Sequence, residues 1–238
     1  MNCIRSLEFI EKISRKYGKF GLKTVLVHPP EWEFERYKKN ILPALKMHGI
    51  RFPVIIDKNK KIIKKLGINF WPTQILIRDG KIVYKHAGEG SYKKLEGSIA
   101  RFLKIRPKKL FAEEPKHSKY PAVYCGRRKN GKIRKLSKIL KFGIVYALGK
   151  FSQKSEFLQL PKNSAITILT RGKVINFVAG SFGSKPARAG IIMNDRIIGT
   201  VSIKNPGLYK LVESGKNRQN KLTIAPRSGM KIYSFFFQ

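Results

Sequence analysis

Cysteine is the residue in this chain best suited to covalent chemistry, and there are two of them, Cys3 and Cys125. They are far apart and form no C-x-x-C motif, and two are too few for a disulfide scaffold. Cys3 stands at the head of a helical pattern, as either a redox thiol or an inert buried one. Cys125 lies in KYPAVYCGRRKNGK, where positive charge would lower the pKa of an exposed thiol, although a small residue on a strand is the plainer reading. Other reactive groups form no set. His28, His48, His86 and His117 lack metal-ligand spacing, no Ser-His-Asp arrangement is recognisable, and Gly88 and Gly90 precede no G-K-[ST]. Neither a cofactor nor a metal is expected.

The elements that must position these groups are legible from periodicity. Ile4, Leu7, Ile10, Ile13 and Tyr17 make a helical stripe that Gly18 ends. KTVLVH is an apolar run of strand length bounded by Pro29 and Pro30. Phe34, Tyr37, Ile41 and Leu45 mark a second helix, bent at Pro43 and closed by Gly49. FPVIID reads as a buried strand, and a short helix around residues 60–66 stops at Gly67. In FWPTQILIRDGKIVYKHAGEG two alternating runs flank Asp79-Gly80, the dipeptide of a type I′ hairpin. Helical spacing returns through Tyr92, Leu95, Ile99, Phe102 and Leu103. The order is that of an α/β domain over residues 1–106 that lacks an opening strand.

After Pro107 the chain becomes Lys-rich, with Glu113 and Glu114 its only acids up to residue 142, and residues 107–142 read as a basic linker. Beyond it AITILT, KVINFVAG, ARAGIIM, IIGTVSI, LYKLV, KLTIA and KIYSFFF are short strands at the spacing of an all-β jelly roll or sandwich over 143–238. Asn194-Asp195 suits a tight turn between two of them. Phe182, Tyr209 and Tyr233 are candidates for a sugar-binding face, with core packing as the alternative.

Composition bounds the partners. Apolar residues at 42% and aromatics at 11% belong to a folded chain. No run of eighteen apolar residues occurs, so no segment here reads as a transmembrane helix, and no signal peptide is evident. The net charge of +37 calls for a test of polyanion binding. The cations are spread singly along the whole chain, however, and no RNP, zinc-finger or helix-turn-helix signature accompanies them, which argues against nucleic acid as the partner.

Four stretches together carry a resemblance. NCIRSLEFIEK, VHPPEWEFE, GIRFPVIID and NFWPTQILIRDGKIVYKHAGEGSY resemble successive parts of thioredoxin-like thiol-disulfide oxidoreductases of the TlpA and DipZ type. PGLYKLVES and SGMKIYSFFFQ resemble the last strands of the carbohydrate-binding-module-like sandwich that ends DipZ-type proteins.

The resemblance implies dithiol chemistry in which Cys3 matches the second, resolving cysteine of a C-x-x-C. The first has no match in the chain, so the sequence is expected to be an N-terminally incomplete or degenerate version of such an enzyme. The missing strand would be the central one of the sheet. Pro72 would match the family's cis-proline, and Trp71, Pro72 and Thr73 would form the substrate side of the site, with core packing an equal alternative for Trp71. Glu89 matches a family position, although a turn carboxylate paired with a lysine is the plainer reading. Implied partners are protein disulfides and a thiol electron donor, with carbohydrate for the sandwich, and the implied location is the extracytoplasmic side of a membrane. A non-catalytic binding protein that uses the sandwich for a carbohydrate or protein partner is the alternative.

Overall fold

The computed structural model describes residues 2–107, 109–110, 120–214 and 217–238. The chain divides into two compact units, Met1–His117 and Ser118–Gln238. Among the described residues no helix is long and apolar enough to cross a membrane.

The first unit opens with α1 (Asn2–Gly18), followed by β1 (Leu26–His28), a single 3-10 turn (Glu33–Arg36) and α2 (Lys38–Met47). It continues with β2 (Val54–Ile56), α3 (Lys61–Lys65), β3 (Thr73–Arg78), β4 (Lys81–Ala87) and α4 (Tyr92–Phe102). The second helix of the sequence reading is thus two pieces, broken at the extended residue Tyr37, and Pro43 sits inside the second.

α1 is the organiser of this unit. Phe9, Ile10, Ile13 and Tyr17 pack with Leu95, Ile99 and Ala100 of α4 and with Leu76 and Tyr84 of the hairpin. Leu7 meets the other cluster, built on Ile41, Leu45 and Ile50 with Leu26, Val54 and Ile56. Each fully buried side chain of this size contributes about 1.5–3 kcal/mol, so the helix is held by its apolar stripe rather than by intrinsic propensity. At its far end the buried Glu96 carboxylate accepts from Lys16 Nζ at 2.7 Å and from Tyr17 Oη at 2.9 Å, fastening α1 to α4.

The strands form two separate ribbons. β1 and β2 are parallel, and β3 and β4 are an antiparallel hairpin; no hydrogen bond joins one ribbon to the other among the described residues. KTVLVH and QILIR, expected to flank a shared partner strand, thus lie in different ribbons. FPVIID is corrected from a buried strand to a half-buried one, because other elements cover one face of β2 and Ile55, on the other, stays exposed. The hairpin turn is as expected, with Asp79 at φ 48° and Gly80 at φ 73°.

The second unit contains β5 (Val123–Tyr124), β6 (Ile133–Lys135), β7 (Val145–Leu148), β8 (Ser152–Gln153), β9 (Leu158–Leu160), β10 (Ala165–Thr170), β11 (Val174–Ser181), β12 (Ala187–Met193), β13 (Arg196–Ile203), β14 (Gly207–Glu213), β15 (Asn220–Pro226) and β16 (Met230–Phe237). One sheet runs β13-β12-β15-β10-β7-β6 and the other β14-β11-β16-β9-β8, with β5 added on β16. Inward residues of both, among them Ile168, Ile191 and Leu222 from the first and Phe177, Ile232 and Phe235 from the second, share one buried core. That is the sandwich arrangement. Asn194 (φ 48°) and Asp195 (φ 65°) make the tight turn between β12 and β13.

The linker reading is corrected here. β5 pairs with β16 and β6 with β7, so the stretch from residue 120 to 142 belongs to the second unit. Strands of two and three residues are too short to display alternation. Residues 111–119, which include Glu113, Glu114 and His117, lie outside the described residues.

Candidate thiol site

Cys3 sits in the first turn of α1 and is half-buried, a free thiol. Its pKa is raised, first by burial and further by the carboxylates of Glu31 and Glu35, so the protonated form is favoured. Those two acids come from the segment after β1. Glu35 Oε2 accepts the backbone N–H of Glu31 at 2.7 Å and lies 3.7 Å from His28 Nε2. Burial lowers the His28 pKa against the opposing pull of Glu31.

Two polar ties hold the start of α1 against the hairpin. Arg5 donates from Nε to Glu89 Oε1 at 2.7 Å and from Nη2 to Glu89 Oε2 at 2.8 Å, a bidentate pair with side-chain exposures of 21% and 3%. Gln74 Nε2 donates to Ser6 Oγ and to the Gly88 carbonyl, each at 3.4 Å. Gly88 N–H also donates to the Pro72 carbonyl at 2.7 Å, so the entry and exit of the hairpin are pinned together.

Of the residues expected from the sequence, Pro72 follows a cis peptide bond, as anticipated. Trp71 is 38% exposed and its neighbour Phe70 is 71% exposed, so Trp71 lies at the surface rather than in the core. Lys60 Nζ lies 5.7 Å from the Trp71 ring. Thr73 begins β3 and its hydroxyl donates to the Phe70 carbonyl at 2.5 Å. The aromatic run Phe70-Trp71 is therefore the apolar feature nearest in sequence to the hairpin start. Glu89 is paired with Arg5, 84 positions away. The sequence could not show this, because the partners are so far apart.

Cys125 is fully buried in the sandwich core, and burial pushes its thiol well above the ordinary range, which makes it inert. Among the described residues no group of His, Cys, Asp and Glu could hold a metal ion. The three aromatics considered for a sugar face are not alike. Phe182 is exposed, whereas Tyr209 bonds its hydroxyl to the Asn205 carbonyl and packs on Phe177, and Tyr233 is buried, its pKa pushed up to about 12 first by burial and then by Glu156.

Two segments of the chain have matches among known protein families. Residues 2–99 match the family described as Redoxin, and residues 140–237 match the one described as Thioredoxin like C-terminal domain. Protein DipZ of Mycobacterium tuberculosis is 21% identical over 262 aligned positions, which cover 100% of this chain and 37% of DipZ. The thiol-disulfide oxidoreductase ResA of Bacillus anthracis is 31% identical over 100 residues, 42% of this chain and 55% of ResA. A solved carbohydrate-binding module, CBM36 in complex with calcium and xylotriose, aligns with 50% of this chain and 100% of its own at 14% identity, with a TM-score of only 0.34. The chain thus spans between about a third and a half of the length of these curated relatives. With a redoxin match ahead of a thioredoxin-like C-terminal match, the chain resembles thioredoxin-like thiol-disulfide oxidoreductases.

Proposed function

We propose that this chain takes part in thiol-disulfide exchange with protein disulfides, with Cys3 as the reacting sulfur in the resolving position. The observation that carries the reading is the setting of Cys3 at the head of α1, in a turn tied to the hairpin through Arg5–Glu89 and Ser6–Gln74. Burial that favours the protonated thiol suits a sulfur that waits for its disulfide. It stays uncharged until a disulfide is delivered beside it.

In the exchange, Cys3 gives up its proton and its thiolate attacks one sulfur of a disulfide. An S–S bond forms to Cys3, and the displaced sulfur leaves with the bonding electron pair and takes up a proton. A second thiolate then attacks the mixed disulfide and returns Cys3 to the thiol. Of the two cysteines in residues 1–238, Cys125 is sealed in a core, so the second thiol belongs to a partner or to a segment outside these residues. Trp71 and Thr73 are the proposed contacts for an extended substrate segment, with Phe70 extending the apolar lip. Protein disulfides persist on the oxidising side of a membrane, which is the setting that goes with this chemistry.

The test is to hold the reduced chain with a peptide disulfide and locate the adduct by mass mapping. The reading requires the adduct on Cys3 in the native chain and in Cys125→Ser, and its loss in Cys3→Ser. An adduct on neither cysteine, or one that forms only after unfolding, would remove it.

A further inference from the structure

One concavity on the first unit plays no part in the thiol site. It encloses about 690 Å³ and is lined by Val54, Ile55 and Ile56 of β2, by Arg36, Tyr37, Lys38 and Lys39 between the 3-10 turn and α2, and by Lys58. Four of those eight residues are cations and none is an acid. Arg36 is occupied, donating to the Lys58 carbonyl at 3.1 Å and lying 3.4 Å from Glu33. Lys38, Lys39 and Lys58 are exposed, and so are Tyr37 and Ile55.

Among the described residues, the same concavity is bounded by a strand edge without a further partner. β2 bonds to β1 through alternate residues, since Leu26 N–H donates to the Pro53 carbonyl and Asp57 N–H to the His28 carbonyl. By that alternation Pro53, Ile55 and Asp57 face β1, whereas Val54 and Ile56 turn their peptide groups the other way. The Ile56 carbonyl is used by Lys58 N–H at 3.0 Å. The Val54 N–H and carbonyl and the Ile56 N–H are left directed at the open edge. A lysine-rich margin discourages a second copy of so basic a chain, but it invites a strand of opposite charge.

We propose that the open edge of β2 is a docking site for an extended acidic peptide segment of a partner protein, which adds as a further strand on β2. Its backbone pairs with Val54 and Ile56, its carboxylates meet Lys38, Lys39 and Lys58, and alternate apolar side chains rest on Ile55 and Tyr37. Backbone pairing supplies the geometry and the charges supply selectivity. This inference stands apart from the thiol chemistry, because none of its residues contributes to the Cys3 setting.

The experiment uses the full chain with a fluorescent peptide of alternating glutamate and valine, followed by anisotropy. Three comparisons are made: a twin peptide N-methylated on the residues that would pair with β2, a single-stranded oligonucleotide as competitor, and the triple variant Lys38→Glu/Lys39→Glu/Lys58→Glu. All three substituted side chains are exposed, so the fold is left intact. The expected result is saturable binding that weakens at least about tenfold for the N-methylated twin and for the triple variant, a loss of at least ~1.4 kcal/mol. Equal binding of the N-methylated twin would overturn the proposal, because attraction without strand pairing would then explain everything. So would an oligonucleotide that displaces the peptide at matching affinity, or the absence of binding.

Discussion

Replacing Glu89 by Ala is the most informative single perturbation of the first unit. The carboxylate accepts two hydrogen bonds from Arg5, at 2.7 and 2.8 Å, and its side chain is only 3% exposed. Removing it takes two acceptors from a guanidinium that keeps about a fifth of its side chain in water. Breaking a fully buried pair costs about 3–5 kcal/mol, and the residual access of Arg5 to solvent lowers that to about 2–4 kcal/mol. Glu89→Gln keeps one acceptor and should cost less, whereas Arg5→Met/Glu89→Leu removes both charges together and should return close to the native value. The chain carries its two tryptophans, Trp32 and Trp71, in the first unit and none in the second, so tryptophan fluorescence in a urea titration reports on that unit alone. A loss below about 1 kcal/mol for Glu89→Ala, or a double variant no better than the single one, would refute the claim that a desolvated ion pair fastens α1 to the hairpin.

Other consequences are equally direct. Because burial raises the Cys3 pKa, alkylation of Cys3 should be slow at neutral pH and accelerate only above the ordinary thiol range, with Cys125 unreactive until the chain unfolds. The linked effect on stability has a definite sign: both thiols are held protonated in the fold, so their contribution is present below the unfolded pKa of about 8.5 and is lost as pH rises beyond it, which urea midpoints between neutral and alkaline pH would show. Phe235→Ala, at a fully buried position between the sheets of the second unit, should cost about 3–5 kcal/mol, read from the circular dichroism of the sandwich with the tryptophan signal unchanged. Trp71→Ala should leave stability within about 1 kcal/mol, because its side chain is partly solvated, yet slow capture of a peptide disulfide with apolar flanks; an unchanged capture rate would take Trp71 out of the substrate lip.

The features that the sequence made legible share a cause: they are local. The stripe from Ile4 to Tyr17, the Asp79-Gly80 hairpin and the seven long strands of the sandwich each carry their signal within one turn or one alternation. What escaped depends on partners distant in the chain. Val123–Tyr124 and Ile133–Lys135 are too short to alternate, and only pairing with β16 and β7 makes them strands. The exposure of Ile55 follows from which face of β2 other elements cover, which no property of FPVIID encodes. Cys3, Trp71 and Pro72 were reachable as candidates because a family pattern covers them. The Arg5–Glu89 pair was not, since a lysine-rich sequence offers a turn carboxylate many nearer partners.

In the proposed function the fold, and not the bare presence of a thiol, directs Cys3 toward protein disulfides. The most direct test compares two rates for Cys3 in the folded chain, one with a peptide disulfide bearing apolar flanking residues and one with glutathione disulfide. The same pair is measured for the isolated peptide MNCIRSLE, whose thiol has the same chemistry and no surroundings. A higher ratio of peptide to glutathione rate is expected in the folded chain than in the free peptide. Equal ratios would mean that nothing around Cys3 recognises a polypeptide, and the assignment of the site would fall.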